Sequence, residues 1–207
     1  MEYRVLIMLF LLSPLYAVAQ RVQIAEFPMS AINEKYRISL DTSNYTLYYK
    51  IGAHPAGTHN PVEITIPHTL INLFVNELNS ALKQYKSLSR KADKGKLAND
   101  RLIGLNLGMD SQAIFARFSY TYYDMEFLSE PLFNNYYFNN KDGVNSLILM
   151  CTEEMNAHTG QHEGAILIFN SEREISFFIS CFDKKLIQKY LDTLDKNKLE
   201  REQNAGI

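Results

Sequence analysis

The chain contains no tryptophan, only two cysteines, six prolines and nine glycines among its 207 residues. Two cysteines cannot form the disulfide framework of a small secreted domain, so the fold must depend on its hydrophobic core. The low proline and glycine content excludes collagen-like and low-complexity chains. After residue 19 no apolar run approaches the length of about eighteen residues that a membrane-spanning helix requires. We therefore expect no membrane span in the remainder of the chain.

An excess of positive charge is also missing. The chain has 21 lysines and arginines against 23 aspartates and glutamates, a formal net charge of -2. Proteins whose main partner is nucleic acid carry a basic excess, so we expect no nucleic-acid partner. The motifs G-x-S-x-G, G-x-x-x-x-G-K-[ST], G-x-G-x-x-G and H-E-x-x-H are all absent. The sequence therefore favours a non-enzymatic protein without a cofactor.

The first nineteen residues have the pattern of an export signal. A short basic start precedes the apolar run from Val5 to Leu12, and Ala17-Val18-Ala19 provides the small-x-small pattern that signal peptidase accepts. The segment resembles the signals of exported proteins of Gram-negative bacteria. A retained membrane anchor is the alternative, but the run is short and Pro14 interrupts it. The sequence predicts cleavage before Gln20 and a periplasmic or secreted protein.

The remaining residues, 20–207, are predicted to form a single domain, which is long enough to bury roughly 70% of its unfolded surface. Apolar residues recur every three to four positions from Thr69 to Lys91 and again after Asp183, which predicts two helices. Alternation of apolar and polar residues predicts strands elsewhere. The predicted strands cover residues 36–40, 45–51, 62–66, 103–107, 114–123, 133–140, 147–153, 165–170 and 175–181.

The predicted fold class is α+β, a mainly antiparallel sheet with two helices packed on it. Turn residues between strands predict two hairpins, one joining 36–40 to 45–51 and another joining 103–107 to 114–123. Three strands followed by a helix occur twice along the chain. This recurrence leaves open a duplicated unit, with halves at 36–100 and 101–198.

Tyrosine is abundant, with thirteen residues in the chain. Tyr48 and Tyr123 lie on the polar faces of their predicted strands, and Tyr136 and Tyr137 lie in a stretch rich in asparagine and aromatic residues. Exposed tyrosine rings commonly contact partners, which predicts binding to another envelope protein, a peptide or a glycan. Ordinary packing between neighbouring strands is the competing interpretation.

Two histidines, His158 and His162, lie close together in a glycine-containing segment. With the carboxylate of Glu163 they could bind zinc, and His54 and His59 in another loop could complete the ligands. A metal-dependent envelope hydrolase is therefore the alternative function. The competing interpretation is a polar loop between strands, because the glycines disfavour a helix that would place the two imidazoles on one face.

Cys151 and Cys181 are the two cysteines of the chain. In an exported protein such a pair commonly forms a disulfide. A simple meander of the last three predicted strands separates the two cysteines by one strand, a distance of roughly 10 Å that a disulfide cannot bridge. The sequence therefore favours two buried thiols without a disulfide.

Overall fold

The computed structural model describes residues 20–43, 46–57, 62–97, 100–107, 115–122, 125–129, 132–152, 163–185 and 187–192. In these residues the chain has the predicted α+β architecture, with α1 at Ile71–Asp93, α2 at Glu172–Ser180 and a further helix, α3, over residues 184–185 and 187–192. Its strands are β1 Gln20–Met29, β2 Glu34–Ser43, β3 Thr46–Pro55, β4 Val62–Pro67, β5 Arg101–Gly104, β6 Phe115–Tyr122, β7 Met125–Leu128, β8 Leu132–Phe133, β9 Asn135–Lys141, β10 Val144–Thr152 and β11 Gly164–Phe169.

These strands pair to form one antiparallel sheet in the order β5-β9-β10-β11-β3-β4-β6-β7. The β2–β3 hairpin and the third strand beside it are confirmed. One edge of β3 is shared, because its first half pairs with β2 whereas His54 and Pro55 pair with β11. The strand β1 adds to the free side of β2. The sheet therefore branches at β3, and residue 20 already belongs to it.

The helix α1 confirms the prediction from the three-to-four periodicity. Phe74, Leu78, Ala81 and Tyr85 are buried and form its apolar stripe, which packs against β9, β10 and α2. The opposite side of the helix is polar. No helix within the described ranges is both long and apolar enough to cross a membrane.

An aromatic cluster joins α2 to the sheet. The fully buried ring of Phe178 lies 4.7 Å from that of Phe27, 5.0 Å from that of Phe169 and 5.2 Å from that of Phe182, measured between ring centroids. Rings at such separations gain about 0.5–1.5 kcal/mol per pair beyond their burial. This cluster holds α2 in place.

The predicted strand over residues 175–181 is wrong, because these residues belong to α2. The side chain of Ser171 accepts a hydrogen bond from the backbone N–H of Glu174 at 3.2 Å. The Glu174 carboxylate accepts one from the backbone N–H of Asn170 at 2.7 Å. This capping arrangement starts a helix. Ile175 and Phe178 then lie on one helical face, which the aromatic cluster buries.

The predicted second hairpin is also wrong. The strand β5 pairs with β9 at the edge of the sheet, whereas β6 pairs with β4, β7 and β8. In β6, Ala116, Phe118 and Tyr120 share one face and are buried, as the alternation predicts, but Ser119 on the other face is buried as well. The alternation of apolar and polar residues thus predicts which face of β6 contributes to the hydrophobic core. It does not predict the partner strand, which depends on residues far away in the sequence.

The order of three strands followed by a helix does recur, although the second set is not the predicted one. The strands β9, β10 and β11 precede α2, whereas the prediction began with β10 and counted α2 as the third strand.

The predicted helix after Asp183 is α3 in the described residues. Asp183 caps its start, because Asp183 Oδ1 accepts a hydrogen bond from the backbone N–H of Lys185 at 2.9 Å.

Candidate functional site

A cleft of about 560 Å³ lies between the helices on one side of the sheet. The turn at His68–Leu70 and the first turns of α1 form one wall, and the end of α2 with α3 forms the other. Small-molecule and cofactor sites have volumes of about 300–1,000 Å³ and combine an apolar lining with a few polar groups. This cleft is therefore the candidate functional site.

The floor of the cleft is built from buried aromatic rings. The ring of Phe182 is buried and meets those of Phe74 and Tyr49 at 5.6 and 5.8 Å between centroids. The walls add further apolar side chains from three helices, namely Ile71, Val75, Ile179, Ile187 and Leu191. The rings of the floor continue the aromatic cluster that packs α2 against the sheet.

Tyr49 and His68 provide a directional polar group at the base of the cleft. Tyr49 Oη lies 3.1 Å from His68 Nδ1, and the two rings stack with 16° between their planes. Burial raises the pKa of Tyr49, so its hydroxyl stays protonated. When His68 carries its proton on Nε2, Tyr49 donates to Nδ1. The Nε2–H group of His68 is then available as a hydrogen-bond donor to a ligand.

The rim of the cleft carries side chains of both charges and neutral polar side chains. Asp183 and Lys184 supply one negative and one positive charge, and Asn72 and Gln188 supply amide groups. Ser180 also lies on the rim, where its hydroxyl donates to the carbonyl of the preceding helical turn at 2.6 Å. The rim can therefore hydrogen-bond both donors and acceptors of a ligand.

The cleft offers apolar side chains, hydroxyl groups and amide groups to a ligand. Ser180 is the hydroxyl nucleophile on the rim, and its proton is already donated to Phe177 O, not to a base. Within the described ranges, no group of three or more His, Cys, Asp or Glu side chains is arranged to hold a metal ion. The residues that line the cleft offer apolar contact and hydrogen bonds.

A second polar group, Glu77 with Tyr136, lies buried between α1 and β9. Tyr136 Oη donates to Glu77 Oε2 at 2.9 Å, and the two residues are only 4% and 3% exposed. Burial raises the pKa of Glu77 to about 7, against the opposing effect of the hydrogen bond from Tyr136. Burial, and then the nearby Glu77 charge, also raises the pKa of Tyr136. This predicted binding residue thus lies in the core.

Two other predicted binding residues, Tyr48 and Tyr137, lie apart from each other. Tyr48 is half-buried on β3, opposite Asp41 on β2. Tyr137 is half-buried on β9, where it pairs with Ile148. Because β10 and β11 separate β9 from β3, the two rings do not form one surface. Tyr123 lies outside the described residues, and a binding role for these tyrosines stays a prediction.

The histidines of the predicted metal site are only partly described. His158, His162 and His59 lie outside the described residues, and Glu163 is buried next to β11. His54 is half-buried on β3, with its Nδ1 at 3.5 Å from Tyr36 Oη. The metal-dependent hydrolase therefore stays an untested alternative.

Cys151 and Cys181 are buried thiols with no disulfide between them, as favoured from the sequence. The geometric reason differs from the expected one, because Cys181 follows α2 and is not on a strand. Its Sγ donates to Phe177 O at 3.4 Å, and burial raises its pKa to about 11. Such a thiol is a poor nucleophile at neutral pH.

Sequence reasoning missed the cleft because its walls come from distant parts of the chain. Neither His68 nor Phe182 was predicted to line a binding site, although Phe182 continues the spacing of Ile175 and Phe178. The one local signal was the Ser171-x-x-Glu174 capping pattern, which marks α2. Comparison of the chain with protein-family models, curated proteins and solved structures gave no match.

Proposed function

We propose that this chain is an exported, non-enzymatic binding protein of the bacterial envelope and that its cleft holds a peptide segment of a partner protein. The cleft, with its apolar floor and its polar rim, is the observation that carries this proposal. The pattern of residues 1–19 supports export.

A peptide fits this lining better than a glycan does. Val75, Ile179 and Leu191 offer apolar contact to an aliphatic or aromatic side chain. The amide of Gln188 and the imidazole of His68 can hydrogen-bond the carbonyl and N–H groups of an extended backbone. A glycan presents hydroxyl groups on most of its surface, and these would lose water against the apolar walls without finding partners.

Short random peptides displayed on phage provide the test. We expect the protein to enrich peptides that share an apolar or aromatic anchor residue. Each of Val75→Lys and Ile179→Lys places a charge on a wall of the cleft, so each should weaken binding of an enriched synthetic peptide at least about tenfold. Leu73→Lys and Phe177→Lys are matched controls on the same two helices, because both side chains are exposed and neither lines the cleft.

Equal loss of peptide binding in the wall variants and in the controls would contradict the proposal, as would enrichment of no common anchor. Metal analysis distinguishes peptide binding from the alternative function, a metal-dependent hydrolase. Stoichiometric zinc in the purified protein, lost when His158 and His162 are both changed to alanine, would favour the hydrolase instead.

A further inference from the structure

The C-terminal end of α1 carries a dense group of cations. Six of them line a shallow surface depression of about 530 Å³ together with Ser87, and we name this set the basic patch: Lys83, Lys86, Arg90, Lys91, Lys94 and Lys96. From Lys83 to Arg101 the sequence has seven lysines and arginines against two aspartates, a net charge of +5, whereas the whole chain has -2. Positive charge is thus concentrated at one end of the molecule.

The cations of the basic patch have few anionic neighbours. Lys86 forms an ion pair with Glu172 at 2.5 Å. Within the described residues, none of the other five cations of the patch forms an ion pair. Asp93 lies in the same segment, but its carboxylate accepts a hydrogen bond from the neutral side chain of Asn145 at 3.1 Å. Like charges around one depression repel each other, which favours the approach of an anionic surface.

Exposed apolar side chains lie at the same end of the sheet. The bond between Asn145 and Asp93 ties the hairpin of β9 and β10 to the end of α1. Val144 in this hairpin is 48% exposed. Arg101 pairs with Asn140 near the hairpin turn, so the neighbouring Leu102 on the edge strand β5, which is 59% exposed, lies at this end as well.

We propose that this end of the protein docks on an anionic lipid bilayer. The basic patch contacts lipid phosphates, and Leu102 and Val144 enter the boundary between headgroups and acyl chains. Groups of four to eight cations beside exposed apolar residues are typical of proteins that lie on such membranes. A nucleic acid or acidic polysaccharide would also satisfy the cations, but neither offers an apolar phase to these side chains. The cleft has no part in this proposal.

Co-sedimentation with lipid vesicles tests the proposal. We expect the purified protein to bind vesicles containing phosphatidylglycerol, to release them at high salt, and not to bind phosphatidylcholine vesicles. Each cation near the surface strengthens binding about fivefold, so the triple variant Lys91→Glu, Lys94→Glu, Lys96→Glu should weaken it more than about 100-fold. Replacing Leu102 and Val144 together by serine should weaken it roughly tenfold.

A matched variant separates the effect of the basic patch on vesicle binding from the effect of net charge. Arg37, Arg117 and Lys185 are exposed on β2, β6 and α3, and changing all three to glutamate alters the net charge by the same amount. This variant should retain most of the vesicle binding, and circular dichroism should show that every variant is folded. Equal loss in both triple variants, equal binding to neutral vesicles, or binding to heparin or DNA without vesicle binding would each overturn the proposal.

Discussion

Replacing Glu77 by glutamine should make the protein more stable above neutral pH and leave its stability in acid almost unchanged. Glu77 is 3% exposed, and its carboxyl group has a pKa of about 7, compared with an ordinary value of 4.5. Because the folded state holds this proton more tightly than the unfolded state does, the group opposes folding once it ionises. Its cost is absent below pH 4.5, grows as the pH rises and is complete above pH 7.

The pKa values give the size of this effect. The difference between 4.5 and 7 corresponds to about 3 kcal/mol, since each pKa unit is worth 1.36 kcal/mol. Glutamine has nearly the same shape, stays neutral at every pH, and its carbonyl can accept the hydrogen bond of Tyr136. We therefore expect Glu77→Gln to raise the free energy of unfolding by up to about 3 kcal/mol at pH 8 and by less than about 1 kcal/mol at pH 4.5.

Urea unfolding of the wild type and the variant at both pH values measures this difference. Glu26→Gln serves as a control, because it removes the same charge at an exposed position where Glu26 pairs with Lys35 at 3.5 Å. Such a surface pair contributes less than about 1 kcal/mol. A stability difference between wild type and Glu77→Gln that does not change with pH would refute the reasoning, as would a larger loss of stability at pH 8 than at pH 4.5.

Three further predictions concern packing, capping and the thiols. Gly164→Ala should destabilise the protein by about 1–3 kcal/mol in thermal unfolding, because the added Cβ would lie 2.7 Å from the carbonyl oxygen of Cys151, a backbone atom that cannot easily move. Ser171→Ala should cost about 1 kcal/mol by the same measurement, because it removes the cap of α2. A thiol reagent should modify Cys151 and Cys181 slowly in the native protein, but both fully in denaturant without reductant.

Each of these has an outcome that would count against it. For Gly164, Gly104→Ala is the control, since the nearest side-chain atom there is 3.9 Å away, and equal losses at the two glycines would contradict the steric reason. An unchanged melting temperature for Ser171→Ala would show that the cap contributes nothing. Thiols that react in denaturant only after reduction would show a disulfide.

Periodicity and local turn residues predicted most of the elements that pack on their sequence neighbours. The stripe of α1 and the β2–β3 hairpin are decided by residues close together in the chain, and both were correct. The strand predicted over residues 175–181 was wrong for two reasons. Isoleucine and phenylalanine favour strands, and the aromatic rings that bury one face of the helix come from β1, β11 and α1, which are distant in sequence. In these residues, tertiary packing outweighs the local preference for a strand.

The candidate site was less predictable than the fold. The cleft brings together His68 in the turn before α1 and Phe182 between α2 and α3, more than a hundred residues apart. Neither residue belongs to a motif, and their proximity depends on how the helices cross. Tyr136 was predicted to bind a partner together with Tyr137, because an aromatic and asparagine-rich stretch gives no sign that the Tyr136 hydroxyl meets Glu77 in the core.

The branch at β3 imposes an order on folding. The strands β1 to β4 pair with their immediate sequence neighbours, so the loops that must close are short and this part of the sheet can form rapidly. The strand β11 meets β3 only at Ala165–Pro55 and Ile166–His54, contacts that close a loop of more than a hundred residues. During synthesis the second half of the β3 edge therefore stays unpaired until most of the chain has left the ribosome. For that period it is an open strand edge on which a second nascent chain could pair.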